Sequence, residues 1–197
     1  NGFTSESKPF LVNQSGNRGL PFVDVKEADW SWPYVKYVYE NGMFAGTSAT
    51  TFEPNTAMTR GMFVTVLWAK DGKPSAGESS FKDLRADWYK EAVAWAATNR
   101  IVGGYSNDSF GPEDPITREQ MAAIMLQYAK YKGLDTAPGG ILLGYGDVLE
   151  ISSYAVTAMK WAVGHKILAG TNRGLEPKSA ATRAQVAVVL KAFSENF

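Results

Sequence analysis

Three arginines each directly follow a threonine that opens a helical pattern: Thr59-Arg60, Thr117-Arg118 and Thr182-Arg183. Threonine is a good helix N-cap, because its hydroxyl can accept a hydrogen bond from an otherwise unpaired first-turn N–H. The arginine then occupies the first helical position, where free N–H groups and the positive end of the helix dipole favour an anion. A guanidinium adds a planar fork of donors that matches a carboxylate. The chemistry these positions suggest is capture of a carboxylate, offered three times. Three aromatics at corresponding positions, Trp30, Trp88 and Tyr154, combine an apolar body with a polar edge. Gly46, Gly104 and Gly170 would let a loop backbone approach a ligand closely. Asp24, Asp83 and Asp147 could accept bonds from hydroxyl groups.

Each of these residues also has a plainer reading. The arginines could be solvated or satisfied by internal salt bridges, and the aromatics could belong to the core. The aspartates could organise the turn before a first helix, and the glycines could serve loop conformation alone. The residues by themselves leave both readings open.

Catalysis has little to draw on. The chain has no cysteine and one histidine, so thiolate chemistry, a Ser-His-Asp triad and a zinc cluster lack their usual parts. His165 stands where the other copies have Asn41 and Asn99, a polar position at a helix C-terminus. Acidic residues that recur do so once per repeat, which suits a binding element used three times better than one asymmetric glycosidase site. The sequence reads as non-enzymatic, with no catalytic residue, metal site or cofactor.

The elements that must position these groups are an internal repeat. One copy runs Phe22-Val23-Asp24-Val25, Asp29-Trp30, Asn41 to Gly46, Phe52-Glu53-Pro54, Thr59-Arg60. The second runs Phe81-Lys82-Asp83-Leu84, Asp87-Trp88, Asn99 to Gly104, Phe110-Gly111-Pro112, Thr117-Arg118. The third runs Tyr145-Gly146-Asp147-Val148, Tyr154, His165 to Gly170, Leu175-Glu176-Pro177, Thr182-Arg183. The repeats span 22–70, 81–132 and 145–197, and residues 1–21 read as a linker or loosely docked arm. First helices are expected over 30–41, 88–99 and 154–165, with Trp30/Tyr37, Trp88/Trp95 and Tyr154/Trp161 two turns apart on one face. Second helices are expected after Thr59, Thr117 and Thr182. Gln120 and Gln185 complete capping boxes that the first copy, with Met62, lacks. Phe52, Phe110 and Leu175 read as apolar plugs that fold each loop back onto the helices.

Apolar residues make up 45% and charged residues 20% of the 197, the profile of a folded chain rather than a disordered one. Twenty basic residues balance twenty acidic ones, so no global field recruits nucleic acid or an anionic membrane. No apolar run approaches the ~18–20 residues of a membrane span. A two-helix unit cannot bury both of its apolar faces alone. Three could stack as an open solenoid or close around a pseudo-threefold axis, and periodicity does not choose.

In its Phe-x-Asp-Val opening, Asp-Trp helix start, Phe-x-Pro loop and Thr-Arg-x-Gln corner, the chain resembles the S-layer homology domain, in three copies over about residues 22 to 197. The resemblance implies an all-α fold, with three helix-loop-helix repeats closed into a pseudo-threefold spindle around a central helical bundle. It implies a monomeric domain with an internal pseudo-trimer, located outside the cell at the bacterial cell wall or S-layer. It also implies non-covalent attachment to a secondary cell-wall polysaccharide, one bearing ketal-linked pyruvate, in grooves between repeats. Arg60, Arg118 and Arg183 would then meet the pyruvate carboxylate and the aromatics would back the sugar ring. The aspartates would take sugar hydroxyls, and three weak grooves would reinforce one another along one polymer. The chain departs from the family pattern in having no acid at the fourth corner position, and Ser152-Ser153-Tyr154 in place of Asp-Trp. The alternative is a helical repeat scaffold that binds a protein partner through exposed aromatics. Replacing Arg118 by alanine is expected to abolish wall binding with the fold intact in the first case, and to change nothing in the second.

Overall fold

Helix starts set the architecture. In the computed structural model, which describes residues 19–197, six α-helices form among the described residues. They are α1 (Trp32–Glu40), α2 (Arg60–Lys70), α3 (Asp87–Thr98), α4 (Arg118–Tyr131), α5 (Val156–Gly164) and α6 (Arg183–Asn196). The arm expected over residues 1–21 lies, except for its last three residues, outside the described residues.

Thr59, Thr117 and Thr182 are the N-caps of α2, α4 and α6, each hydroxyl accepting the N–H three residues on. Gln120 and Gln185 return the bond to the threonine N–H, closing the two expected capping boxes. The apolar stripes of these helices, Phe63/Val66/Leu67, Met121/Ile124/Met125 and Val186/Val189/Leu190, are all buried.

First helices begin differently from expectation in two copies. Trp30 and Tyr154 precede their helices rather than opening them. Pro33 sits in the first turn of α1, and a proline is tolerated at a helix start but not further in. Tyr154 lies in a short 3-10 turn, Ser153–Ala155, ahead of α5. The seven-residue spacing therefore places only Trp88 and Trp95 on one α-helix. The first helices end as expected, at Asn41, Asn99 and His165. Asn41 and Asn99 use their side-chain amides to bond the last-turn carbonyls of Tyr37 and Trp95.

Helix partners are not the two helices of one repeat. The main helix contacts are α2 with α3, α4 with α5, and α6 with α1. Each second helix is therefore covered by the first helix of the next repeat, and the third repeat is covered by the first. At the centre the residues before the N-caps form a closed circuit of backbone bonds. Ile116 N–H donates to Met58 O (2.9 Å), Ala181 N–H to Ile116 O (2.8 Å) and Met58 N–H to Ala181 O (3.0 Å). All three residues are buried. An open stack would leave one of these donors and one acceptor unpaired in the interior, a loss of roughly 1–3 kcal/mol for each.

Candidate inter-repeat binding cleft

Corner geometry repeats in all three copies. The first two helical N–H groups of α2, those of Arg60 and Gly61, donate to Asp114 O and Pro112 O of the second repeat. Arg118 and Glu119 do the same to Ser179 and Pro177, and Arg183 and Ala184 to Thr56 and Pro54. With the third N–H taken by threonine, these helix starts have no free N–H for a ligand, contrary to the reading above. The contacts that join the repeats consume them.

The guanidiniums are buried, at 5%, 4% and 2% exposure for Arg60, Arg118 and Arg183. Each staples the loop of the next repeat at two points. Arg60 Nε donates to Phe110 O (3.0 Å) and Nη2 to Gly103 O (3.2 Å). Arg118 reaches Leu175 O (2.8 Å) and Ala169 O (2.7 Å), and Arg183 reaches Phe52 O (2.6 Å) and Ala45 O (2.7 Å). The plugs Phe52, Phe110 and Leu175 are fully buried beneath them, and Arg60 and Arg183 lie 4.6 Å over the Phe110 and Phe52 rings.

Among the described residues none of the three forms an ion pair. Burial pulls all three below the usual arginine range, Arg183 to about 10, and more distant carboxylates only partly oppose it. A guanidinium has five N–H donors. Among the described residues only Nε and one Nη2 hydrogen are used in each, which leaves the end-on edge formed by Nη1 and Nη2 without a hydrogen bond.

The aspartates hold the loops. Asp24 accepts from Phe52 N–H (2.9 Å) and Glu53 N–H (2.7 Å), Asp83 from Phe110 and Gly111, and Asp147 from Leu175 and Glu176. The second residue of each pair has a left-handed backbone, with φ of 58°, 72° and 50° for Glu53, Gly111 and Glu176. Only Gly111 adopts this without strain, and the carboxylate bonds hold the two glutamates there. Burial pushes Asp83 and Asp147 upward, but the loop N–H bonds outweigh it and leave both below the usual carboxylate range.

The loop glycines are required by packing. A Cβ at Gly46, Gly104 or Gly170 would lie 2.2–2.4 Å from loop backbone or from the ring of the opening aromatic. Trp30 is 60% exposed and packs on Tyr34, whereas Trp88 is half-buried with its ring edge against Tyr89.

Arg60, Gly104 and Tyr154, from three different repeats, come together in one cleft of about 450 Å³. Its other walls are Gly103, Tyr105, Ile101 and Ile124, with Gln120 and Gln127 supplying amides. Arg60 sits 4.7 Å over the Tyr105 ring. Burial raises the Tyr154 phenol to about 12, assisted by nearby Glu119. Rings, amides and a guanidinium with one edge unspent among the described residues, in one concave space, can take a polar ring bearing a negative charge.

Gly103, Tyr105, Gln120 and Gln127 were not singled out in the sequence as site residues. Tyr105 corresponds to Thr47 and Thr171, and Gly103 to Ala45 and Ala169. Comparing copies selects what they share and passes over what one copy has alone, as with Tyr105 and Gly103, whereas Gln120, shared with Gln185, reads in the sequence only as a cap.

Among the described residues no helix is long and apolar enough to cross a membrane. A family model described as the S-layer homology domain matches residues 21–61, 80–122 and 144–187. An endoglucanase of Bacillus sp. (strain KSM-635) is 36% identical over 181 residues, covering 91% of this chain and 19% of the relative. A cellulosome-anchoring protein of Acetivibrio thermocellus is 28% identical over 144 residues, 69% of this chain and 31% of the relative. A surface-layer 125 kDa protein of Lysinibacillus sphaericus is 26% identical over 167 residues, 82% of this chain and 14% of the relative. The chain spans less than a third of the length of each.

Proposed function

The chain belongs to the S-layer homology domain family, and from that premise we propose that it anchors a larger protein to the bacterial cell wall by binding an anionic, pyruvylated wall polysaccharide between its repeats. Relatives named for surface layers and for cellulosome anchoring support the cell-wall location. The observation that carries the choice of ligand is the Arg60 cleft. Among the described residues this buried guanidinium has no carboxylate partner, and its unspent edge stands beside two tyrosine rings and two amides.

A pyruvate ketal presents a rigid carboxylate on a sugar ring, so the charge and the ring arrive in fixed relation. The end-on edge of Arg60 takes the carboxylate, a charged bond that contributes about 1.5–3 kcal/mol when shielded. Tyr105 and Tyr154 face the ring, and Gln120 and Gln127 take hydroxyl or acetamido groups. By cyclic correspondence Trp30 would serve beside Arg118 and Trp88 beside Arg183. The aspartates and loop glycines act one step removed, by holding the loops that carry these walls.

Purified wall polysaccharide should retain the chain in a pull-down, and mild acid removal of the ketal should abolish retention. Undiminished retention on the depyruvylated polymer would overturn the choice of ligand.

A further inference from the structure

One carboxylate beside the cleft has no counterpart in the other repeats. Glu119 is the second residue of α4, and Gly61 and Ala184 occupy its place in α2 and α6. It is only 3% exposed and spends its oxygens on the start of the third repeat. It accepts from Ser152 N–H (2.9 Å), Ser152 Oγ (2.8 Å) and the Tyr154 hydroxyl (3.2 Å). Lys178 Nζ donates to it at 2.6 Å and also to Ser152 Oγ.

A buried carboxylate near an anion site would repel the ligand unless its charge were matched, and Lys178 matches it. What remains is a tether on Tyr154. Tyr154 is 59% exposed, and an exposed ring without a fixed tip moves among rotamers on a fast timescale. Here the hydroxyl is bonded to Glu119 while Tyr154 lines the cleft. The second repeat therefore sets the angle of an aromatic supplied by the third, on a cleft whose cation comes from the first.

We propose that Glu119, neutralised by Lys178, is a positioning residue that fixes the Tyr154 ring as a wall of the Arg60 cleft for an acidic sugar. This rests on the reading of the cleft given above. Preordering a side chain that would otherwise be ordered on binding strengthens binding without adding a contact.

The test is a double-mutant cycle on the full chain, titrated with a methyl hexosaminide carrying a pyruvate ketal. E119A removes every acceptor and installs the residue that α6 carries at this place, and Y154F keeps the ring while removing its hydroxyl. Each should weaken binding about three- to tenfold, and the double variant no further, because both cut the same tether. Multiplying losses, or unchanged affinity in E119A with the melting temperature preserved, would overturn the proposal.

A ligand-free measurement separates this proposal from the choice of ligand. In chain labelled with meta-fluorotyrosine, the Tyr154 resonance, assigned through Y154F, should shift and change width in E119A. A Tyr154 resonance unaltered by E119A would refute the tether whatever the ligand is. Failure of the unsubstituted chain to bind the probe, with the resonance responding as expected, would count against the choice of ligand and uphold the tether.

Discussion

The Thr-Arg corners and the starts of the first helices come from the same threefold repeat, yet they have diverged to different degrees. At the corners every copy places a capped threonine, two N–H bonds into the next repeat and a guanidinium clamped on two loop carbonyls. At the first-helix starts one copy has an exposed tryptophan before a proline, one a half-buried tryptophan and one a tyrosine in a 3-10 turn tied to Glu119. The corners join one repeat to the next, so three matching joints are required. The first-helix starts make no such joint, and the one in the third repeat lines the Arg60 cleft, so each is free to differ. Within this chain sameness marks assembly, and difference gathers at the cleft proposed for the ligand.

The largest effect expected from that contrast is at a corner. Arg118→Ala removes the clamp on Leu175 and Ala169 and leaves their carbonyls without donors. Two lost charged bonds in a buried setting should destabilise the chain by about 3–5 kcal/mol. For a chain of this length that lowers the melting temperature by roughly 10 °C, read by thermal circular dichroism. A shift within about 2 °C would show that the corner is not a joint. The same geometry revises the sequence-level test, since alanine at Arg118 disturbs the fold as well as any ligand contact.

An adjacent pair of glycines sharpens the comparison. A Cβ at Gly104 would lie 2.4 Å from Ser109 O and 2.5 Å from the Phe81 ring, whereas one at Gly103 meets nothing within 4 Å. Gly104→Ala should cost about 1–3 kcal/mol, the usual range for overpacking. Gly103→Leu should leave stability within about 0.5 kcal/mol while filling the cleft and weakening retention on wall polysaccharide. Equal melting temperatures for the two variants would break the distinction between a loop scaffold and a ligand-facing wall.

The smallest expected effect is on acid stability. Asp83, Asp147 and Glu119 all have folded pKa values below their ordinary ones. The unfolded chain therefore binds more protons near pH 4, and the stability these groups add is complete above that range. It is lost as the pH falls through the folded values. Melting temperature should drop below about pH 4, and D83N should show a shallower drop from a lower starting point. A steeper acid response in D83N would contradict the role of Asp83 as a loop clasp.

Much of the scaffold was legible because it is local. N-caps, capping boxes and plugs depend on residues three to eight apart, and those spacings recur. Which helix covers which was not legible, since periodicity gives a helix an apolar face but does not name the neighbour that meets it. For the same reason Arg118 read as an anion site at a free helix start, when both N–H groups and two guanidinium donors were already taken by the following repeat. Tyr105 and Glu119 stayed hidden for the opposite reason, being unlike their counterparts.

The pairing of α6 with α1 also bears on how the chain reaches its structure. Val35 and Val38, fully buried in the finished protein, belong to a helix whose cover is not made until residues 183–196 leave the ribosome. An open helical array can nucleate anywhere and grow outward; this one must keep its earliest helix waiting and then join distant segments of the chain in a single late event. Such long-range joining is slow compared with local helix formation, so the molecule should gain its final shape only after synthesis has passed α6.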